Sequence, residues 1–524
     1  MPEVVEIDGE TLTPEQIEAV ARDGAAVTVP ESVRRSVRES RDRIETILET
    51  DEPVYGVNTG FGELVQERIP EARIGAVQRN LVRSHAAGAG EELPKSVVRA
   101  MMTARVNTLV KGYSGVRECV VDLLVQLLNQ GVHPVVRSKG SLGASGDLAP
   151  LAHMTLVLIG EGEATVDGDR MDGAAALERV DLDPLVLGAK EGLALINGTQ
   201  LTTCLGALVV LDAERAVRAA DVAGAMTTEV TMSTTASSHP RINDVRPHQG
   251  HREAADNVRA LTADSEIVQS HRNCDRVQDA YSIRCLPQVH GAVRDAVRHL
   301  RNVVTVELNS ATDNPLIFDA DRVDPRASGT DDAAVLSGGN FHGEPLALPL
   351  DYVTSAIAEL ASISERRLDR LLNPNVQAEH LPPFLTADAG VQSGYMITQY
   401  VAADLVSTNR AEGRPSMDNV PVSGNQEDHV SMSAQSALRA ADAVERTLRV
   451  VASELVCATQ AIDFVDPAYT PGSGTKAAYD CVRDSVPYLD DDRPVHADVD
   501  AATDLIVSDL LFERVEAATD EPLQ

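Results

Sequence analysis

One tripeptide, Ala144-Ser145-Gly146, combines residue types that could react with one another. It lies in the run GSLGASGDLAPLAH, which extends from Gly140 to His153. If the Gly146 nitrogen attacks the Ala144 carbonyl carbon and two waters leave, Ser145 becomes the methylidene carbon of an imidazolone ring. Such a ring is a strong electrophile, and no natural side chain offers a comparable electron sink. The spacing therefore indicates amine chemistry.

Two simpler interpretations of this turn compete with cyclisation. A Gly- and Ser-rich turn before an apolar run is usually a helix N-terminus, with Ser145 or Asp147 capping free N–H groups. It could also bind an anion, as helix N-termini do. GxGxxG is absent and no glycine precedes a Lys-Ser or Lys-Thr pair in P-loop spacing, so both nucleotide signatures fail. Taken alone, the tripeptide is more often inert than reactive.

Helical periodicity dominates the elements that must position this turn. Apolar residues that alternate steps of four and three predict one buried helix face, and they are Leu346, Leu350, Val353, Ile357 and Leu360. A second such series lies in a segment without Gly or Pro from about Ser433 to Phe464, and it comprises Ala441, Val444, Leu448, Val451 and Leu455. Helices of this length suggest a bundle shared between subunits.

Strand patterns are few and short. They are VEIDG near the start, AAVTV before Pro30, and EATVDGDRM, where Asp167-Gly168 predicts a hairpin turn. Predicted loops, rich in Gly, Pro, Asn or Ser, span 51–62, 138–146, 322–339, 414–428 and 471–474. We predict an N-terminal domain over 1–200, α-rich with a few short strands, and a helical domain over 201–524.

The charge balance is strongly acidic. Lys and Arg number 46 against 80 Asp and Glu, a formal net charge of −34. Nucleic acid and anionic membranes are therefore poor partners, because phosphate binding needs a basic face. The acidic residues are scattered, so we interpret them as a solvated surface suited to high salt, which screens self-repulsion. We expect stability against heating to be higher in molar KCl than in dilute buffer, and equal stability would contradict this interpretation.

Cysteine usage and the termini favour a cytoplasmic, soluble protein. The six cysteines contain no CxxC and no dense framework, so we predict reduced, mostly buried thiols. The first residues, MPEVVEIDGETL, are polar and acidic, unlike a signal or transit peptide. No run of about 18 uncharged apolar residues predicts a membrane span.

Seven further sequence motifs outside the tripeptide favour a catalytic role for it over an inert turn. They are YGVNTGFG from Tyr55, NLVRSHAAGAG from Asn80, EGLALINGTQ from Glu191, VQDAYSIRCLPQVHG from Val277, DNPLIF from Asp313, GGNFHGEP from Gly338 and NQEDHVSM from Asn425. Together with GSLGASGDLAPLAH, and in this order, they resemble the aromatic amino acid ammonia-lyase family. The blocks span most of the chain, which makes the resemblance highly specific.

The resemblance implies a fold, a reaction and a prosthetic group. The fold would be mainly α, a long-helix bundle of the fumarase/aspartase-like type with a smaller N-terminal domain. The tripeptide would form 4-methylidene-imidazol-5-one (MIO), with no external cofactor and no metal. The reaction would be non-oxidative loss of ammonia from an amino acid. A homotetramer is implied, with each active site built from several subunits.

The elimination needs a base, because the β-hydrogen of an amino acid is not acidic. Tyr55 is the candidate, although a free phenol has a pKa near 10, so the site must lower it or pair it with a positive group. A core tyrosine is the simpler interpretation, and glycines 56, 60 and 62 favour a mobile lid instead. Whether Tyr55 or Glu427 takes the proton stays open, as does whether amine or imidazole attacks the ring.

Other residues are candidates for holding the substrate. Arg284 would bind the substrate carboxylate through two parallel hydrogen bonds from its guanidinium group. Helical spacing would group Gln278, Tyr281 and Arg284 on one face, and the family pattern gives all three site-lining roles, Tyr281 among the catalytic residues. Asn197 would hold the ring oxygen or the substrate. Phe341 either packs against the ring and the substrate or is an ordinary core residue.

His85 and Glu427 correspond to the histidine-specific members of the family, where they would bind an imidazole. The resemblance thus implies conversion of L-histidine to trans-urocanate, the first step of histidine degradation. Rival interpretations are a tyrosine or phenylalanine lyase, an aminomutase, or a catalytically dead helical scaffold. One departure is visible: Ala280 replaces the proline usual before Tyr281, which frees a φ angle and puts the rate in doubt.

Overall fold

The computed structural model describes residues 4–50, 53–59, 69–272, 276–320, 328–330, 333–417, 419–519 and 522–524. Helices dominate these residues, and the mainly α fold expected from the sequence is confirmed. The first ten helices are α1 Pro14–Ala21, α2 Glu31–Leu48, α3 Glu71–His85, α4 Lys95–Val110, α5 Glu118–Asn129, α6 Leu148–Leu158, α7 Gly173–Arg179, α8 Glu191–Ile196, α9 Gln200–Val230 and α10 Pro240–Asp244. The others are α11 Gln249–Leu261, α12 Glu266–Ser270, α13 Tyr281–Arg284, α14 Leu286–Leu308, α15 Glu344–Leu372, α16 Met396–Ala411, α17 Ser433–Ile462, α18 Ser473–Ser485, α19 His496–Val507 and α20 Leu510–Glu516.

The strands are short and form four small sheets among the described residues. They are β1 Val5–Glu6, β2 Val27–Thr28, β3 Ala89–Glu92, β4 His133–Pro134, β5 Arg137–Lys139, β6 Glu163–Val166, β7 Asp169–Asp172, β8 Leu316–Asp319, β9 Ser328–Gly329 and β10 Ala333–Leu336. The sheet orders are β1-β2, β3-β5, β4-β6-β7 and β8-β10-β9, and only the β1-β2 pair is parallel. The predicted hairpin is confirmed: Val166 pairs with Asp169 around the Asp167-Gly168 turn.

The two predicted long helices are also confirmed. Helix α15 contains the whole first apolar series, and each of its five members is fully buried. Helix α17 covers Ser433–Ile462, close to the predicted range. By length and hydropathy α15 is the one helix in the described residues that would suit a membrane span. Because 61% of that apolar window is buried inside the protein, this is weak evidence for a span, and a core helix passes the same test.

The chain divides into two compact units. The first unit comprises Met1–Leu208, Leu300–Asp351 and Arg414–Leu438, and the second comprises Val209–His299, Tyr352–Gly413 and Arg439–Gln524. The division into domains 1–200 and 201–524 stays a prediction. Of the cysteines, Cys119, Cys204, Cys285, Cys457 and Cys481 are free thiols, three of them buried, as expected, and Cys274 lies outside the described residues.

Two apolar clusters of the first unit fix the segments that carry the predicted chemistry. Val54 and Val57, on either side of Tyr55, are 1% exposed and belong to a core cluster with Ile44 and Ile317. Ala144 packs in a second cluster with Val430 and Met432. Burial of these flanking side chains holds the Tyr55 turn and the tripeptide in place.

Candidate active site

The tripeptide forms a tight turn directly before α6. Gly143 and Gly146 have φ of +68° and +76°, which favours glycine. Gly146 forms a parallel bridge with Gly198, and the Asp147 N–H donates to the Gly198 carbonyl at 2.7 Å. A Cβ atom on Gly146 would lie 2.2 Å from that carbonyl oxygen, so only glycine fits here.

The hydrogen bonds of the turn leave its reacting atoms unengaged. Asn197 Nδ2 donates to the Ser145 carbonyl oxygen at 2.8 Å, the oxygen that would become the ring oxygen. Among the described residues, neither the Gly146 N–H nor the Ala144 carbonyl has a hydrogen-bond partner. The proposed cyclisation, in which the Gly146 nitrogen loses its proton and the Ala144 oxygen leaves as water, therefore disrupts no hydrogen bond of these two groups.

Asp147 does not cap α6, although capping is one of the simpler interpretations. Its buried carboxylate accepts from Ser141 Oγ at 2.7 Å and from the Thr202 N–H at 2.9 Å. Thr202 Oγ1 also donates to it at 3.1 Å. Burial raises the pKa of Asp147, and these hydrogen bonds oppose the rise. The residue therefore ties the turn to the start of α9.

Arg105 fixes the segment on the other side of the turn. Its guanidinium is fully buried and donates to the carbonyl oxygens of Ala194, at 2.9 Å, and of Asn197, at 3.0 Å. Burial lowers the pKa of Arg105 to about 10. Because Asn197 is held through its own backbone, its side-chain amide keeps a fixed position against Ser145.

His85, the last residue of α3, presents one nitrogen as an acceptor. Its Nδ1 lies 2.8 Å from the Leu81 carbonyl oxygen, which can only accept, so this bond assigns the proton to Nδ1. The neutral ring then offers a lone pair at Nε2. A ligand N–H is the complementary group.

Glu427 brings a carboxylate to the same site from a loop. The Val422 N–H donates to the Glu427 carbonyl at 3.0 Å, and the positive φ values of Ser423, Gly424 and Asn425 turn the chain between them. The Glu427 side chain is half-buried, and among the described residues no Lys, Arg or His forms an ion pair with it. Its negative charge is therefore available to a ligand.

Tyr55 lies on a turn that closes on itself. Asn58 Oδ1 accepts from the Val54 N–H at 2.7 Å, and the Asn58 N–H donates to the Val54 carbonyl at 3.2 Å. Gly56 has φ +75° and lies against Leu193. The Tyr55 side chain is half-buried. Residues 60–68, with two glycines of the predicted lid, lie outside the described residues, so the lid stays a prediction.

A cavity of about 840 Å³ brings most of the predicted site together, within the usual size range for a small-molecule site. Seven of the residues predicted for the site line it, and they are Tyr55, His85, Ala144, Ser145, Asn197, Phe341 and Glu427. All of them belong to the first unit. Gly146 is buried next to this lining rather than exposed in it.

Three predicted residues are not in this lining. Gln278, Tyr281 and Arg284 belong to the second unit, and Gln278 lines a different cavity there. The prediction that helical spacing groups all three is wrong, because α13 begins at Tyr281. Asp279 accepts from the Thr234 N–H at 2.8 Å, a bond that holds the chain before α13 outside the helix.

Tyr281 and Arg284 do lie together. The Arg284 guanidinium carbon is 4.5 Å from the Tyr281 ring centroid, a cation–π contact. Tyr281 is 70% exposed. Ala280, which replaces the family's usual proline, has φ −62° and ψ 153°. This φ is one that proline itself would adopt, so the backbone before Tyr281 has a conformation compatible with proline although alanine does not enforce it.

Thirteen further lining residues are absent from the sequence-based prediction of the site. They are Leu81, Leu148, Leu193, Ile196, Asn314, Ser337, Gly338, His342, Ser423, Gly424, Gln426, Asp428 and His429. All except Ser337, Ser423 and Gly424 fall in one of the blocks that carry the family resemblance, and that position was the available signal. His342 and His429 stack with ring centroids 5.7 Å apart.

The close contact between Gly146 and the Gly198 carbonyl can be tested by substituting Gly146 and a matched control glycine. We expect Gly146→Ala to prevent cyclisation and to destabilise the fold, because the new Cβ overlaps the Gly198 carbonyl. Gly24→Ala is the control, since Gly24 has φ +73° and no atom within 4 Å of its Cβ position. Both variants carry the cost of a positive φ, about 1–2 kcal/mol, and overpacking adds about 1–3 kcal/mol for Gly146 alone. Thermal unfolding and intact mass measure both effects, and equal losses of stability would contradict the argument.

Comparison with known proteins gives the same picture over the full chain. A sequence model described as "Aromatic amino acid lyase" matches residues 12–484. A "Probable histidine ammonia-lyase" of Halobacterium salinarum is 61% identical, over 99% of both chains. The structure of histidine ammonia-lyase from Trypanosoma cruzi has a TM-score of 0.89 at 38% identity, covering 99% of this chain and 96% of that one. Tyrosine aminomutase from Streptomyces globisporus gives a TM-score of 0.92 at 37% identity, over 100% of both chains.

Proposed function

The chain belongs to the aromatic amino acid lyase family, and we propose that it eliminates ammonia from L-histidine to give trans-urocanate. The observation that carries this proposal is the cavity in which Ser145, Tyr55, His85 and Glu427 meet. It joins a cyclisable tripeptide, a candidate base and two polar groups suited to an imidazole. Urocanate formation is the first step of histidine degradation, and we propose a cytoplasmic location for it.

The residues around the tripeptide fit a ring formed from it. Gly146 leaves no space for a side chain, the Gly146 nitrogen is unengaged, and Asn197 donates to the oxygen that the ring would keep. MIO formed here would supply an electrophile that makes the substrate nitrogen a better leaving group. Asn197 would hold the ring through its oxygen, and Asp147 would hold the backbone that follows it.

The imidazole of the substrate would lie between His85 and Glu427. His85 Nε2 accepts a hydrogen bond, and the Glu427 carboxylate also accepts, so together they can bind the two N–H groups of an imidazolium or one N–H of the neutral ring. An apolar phenyl ring would leave both groups without partners, which is costly in a half-buried site. This polarity favours histidine over phenylalanine.

Tyr55 would take the β-proton. It lies on a turn fixed by Asn58 and by the buried Val54 and Val57, so its phenol can be held near one carbon of the substrate. A tyrosine acts as base only if its surroundings favour the phenolate. Glu427 is the second candidate for this role because it lines the same cavity.

The substrate carboxylate needs a cation, and we propose that another copy of the chain supplies it. Arg284 suits bidentate binding of a carboxylate, and its buried Nε has no hydrogen-bond partner among the described residues. Tyr281 beside it is exposed, as a residue that completes a neighbouring copy's site would be in one chain. We propose a homotetramer in which Gln278, Tyr281 and Arg284 enter the cavity of another subunit.

Product formation tests this function directly. We expect urocanate absorbance to rise on addition of L-histidine, with no cinnamate-type product from phenylalanine or tyrosine. Retention of the amino group at the β-carbon would indicate an aminomutase, the activity of one structural neighbour. An inert protein whose intact mass lacks the loss of two waters would indicate a dead scaffold.

Glu427→Gln tests the assignment of the substrate pocket. We expect kcat/KM for histidine to fall about 10- to 100-fold, the cost of a lost hydrogen bond to a charged group. Glu91→Gln, at an exposed glutamate of β3, is the matched control and should keep wild-type kinetics. A Glu427→Gln enzyme with unchanged kcat/KM would remove Glu427 from the imidazole site.

A further inference from the structure

A buried ion pair lies in the first unit, outside the cavity lining. Lys190 Nζ is 3.0 Å from Asp313 Oδ2, and both side chains are fully buried. Such a pair is a poor source of stability, because desolvation offsets the attraction and apolar replacements are often neutral. A role other than stability is therefore the better explanation for it.

The pair lies directly under the turn that carries Tyr55. A Cβ atom built on Gly56 would lie 3.7 Å from Lys190 Cδ and 3.3 Å from Pro315 Cδ. Pro315 follows Asp313 by two residues, so both contacts come from the segments that the ion pair joins. These segments are far apart in sequence, and the ion pair is a direct bond between them beneath Gly56.

The backbone at Lys190 is strained in the same place. Its φ is +70°, and it is the residue that precedes α8. A non-glycine residue keeps this conformation only where its surroundings fix it. Helix α8 then carries Leu193 and Ile196 into the cavity, while Asn314, next to Asp313, enters the cavity from the other segment. The pair thus connects two walls of the cavity to the Tyr55 turn.

Asp313 also acts on a second buried cation. Its charge partly opposes the effect of burial on the pKa of Arg105, whose guanidinium holds the Asn197 carbonyl. Asp313 Oδ1 has no hydrogen-bond partner among the described residues. Removing Lys190 alone would leave this carboxylate without its ion-pair partner, so an informative variant must neutralise both members of the pair.

We propose that Lys190, held by Asp313, is a positioning residue for Tyr55, an inference that rests on the proposed role of Tyr55 as the base. The ion pair fixes the Lys190 and Pro315 side chains that pack against Gly56. It thereby fixes the position of the Tyr55 phenol in the cavity. Proton transfer depends steeply on this position, since a displacement of about 1 Å can cost about 100-fold in rate.

The test uses the full-length protein with the pair neutralised, Lys190→Met/Asp313→Asn. Its matched control is Lys476→Met/Asp480→Asn, which removes an exposed ion pair of α18. We expect kcat to fall about 100-fold with KM within about threefold of wild type, and the mass loss of two waters to persist. The control should keep the kcat of the wild type.

A spectroscopic readout separates this inference from the proposed function. In protein labelled with 3-fluorotyrosine, the Tyr55 ¹⁹F resonance is assigned by its loss in Tyr55→Phe, and we expect it to shift or broaden in the neutral-pair variant. If the wild type does not turn over histidine, the proposed function fails and this resonance alone decides the inference. If the double variant Lys190→Met/Asp313→Asn does not fold, the same measurements of kcat, intact mass and the Tyr55 ¹⁹F resonance are made on Lys190→Arg.

Three results would overturn the inference. The first is a neutral-pair variant with wild-type kcat. The second is an unchanged Tyr55 resonance, even with a lower kcat, because the effect would then act elsewhere. The third is absence of the two-water mass loss, which would assign the pair to the tripeptide instead of Tyr55.

Discussion

Ser145→Ala is expected to lose almost all activity, about 10⁴-fold or more, the scale on which removal of a covalent catalytic group is felt. Alanine has no hydroxyl to leave as water, so the methylidene carbon cannot form. The fold should not change, because the turn is held by its neighbours: Asn197 bonds the Ser145 backbone, and Asp147 bonds Ser141 and Thr202. Intact mass and urocanate formation are the two measurements.

The matched control for this change is Ser32→Ala, at an exposed serine in the first turn of α2. It should show the mass loss of two waters and full activity. Thermal unfolding should not distinguish the two variants by more than the small effects of surface changes, about 0.5 kcal/mol. If Ser145→Ala still released urocanate at the wild-type rate, the tripeptide would have no part in the reaction.

Tyr55→Phe is expected to separate ring formation from elimination. The variant should keep the mass loss of two waters, because the hydrogen bonds that hold the tripeptide turn among the described residues come from Asn197, Ser141 and Thr202. Turnover should fall about 10²- to 10⁴-fold, the usual contribution of a general base. Binding of urocanate as an inhibitor should persist, since His85 and Glu427 are unchanged.

Tyr113→Phe provides the control for the loss of a phenol hydroxyl. Tyr113 lies in the first unit with its ring centroid 5.2 Å from that of Phe318, and it is not part of the cavity lining. This variant should keep wild-type turnover. Near-normal turnover in Tyr55→Phe would instead transfer the role of base to Glu427, which Glu427→Gln would then test.

Much of the fold could be predicted because its signals are local. The apolar series in α15 and α17 gave the helices their buried faces, and Asp167-Gly168 gave the β6-β7 hairpin its turn. Periodicity of this kind depends on backbone geometry alone. The mainly α class followed from the same level of information.

The site was predictable in composition and less so in geometry. Seven predicted residues line one cavity, because the blocks that carry them mark the segments that fold together. The helical grouping of Gln278 with Tyr281 was wrong because the Thr234 N–H donates a tertiary hydrogen bond to the Asp279 carboxylate, and this bond overrides the local spacing. A tertiary contact also explains why Asp147 does not cap α6. Its carboxylate accepts a hydrogen bond from the Thr202 N–H of α9 instead of from the free N–H groups of α6.

The sequence by itself determined which residues can react: a serine between Ala144 and Gly146, a tyrosine, and the polar pair His85 and Glu427. Residue type and order are sufficient for that, since chemistry belongs to functional groups. Only the tertiary structure decided that the Gly198 carbonyl excludes any side chain at position 146, and that Lys190 meets Asp313 beneath Gly56. These contacts join segments far apart in the chain, and such distances are set by packing of the whole unit rather than by any local pattern.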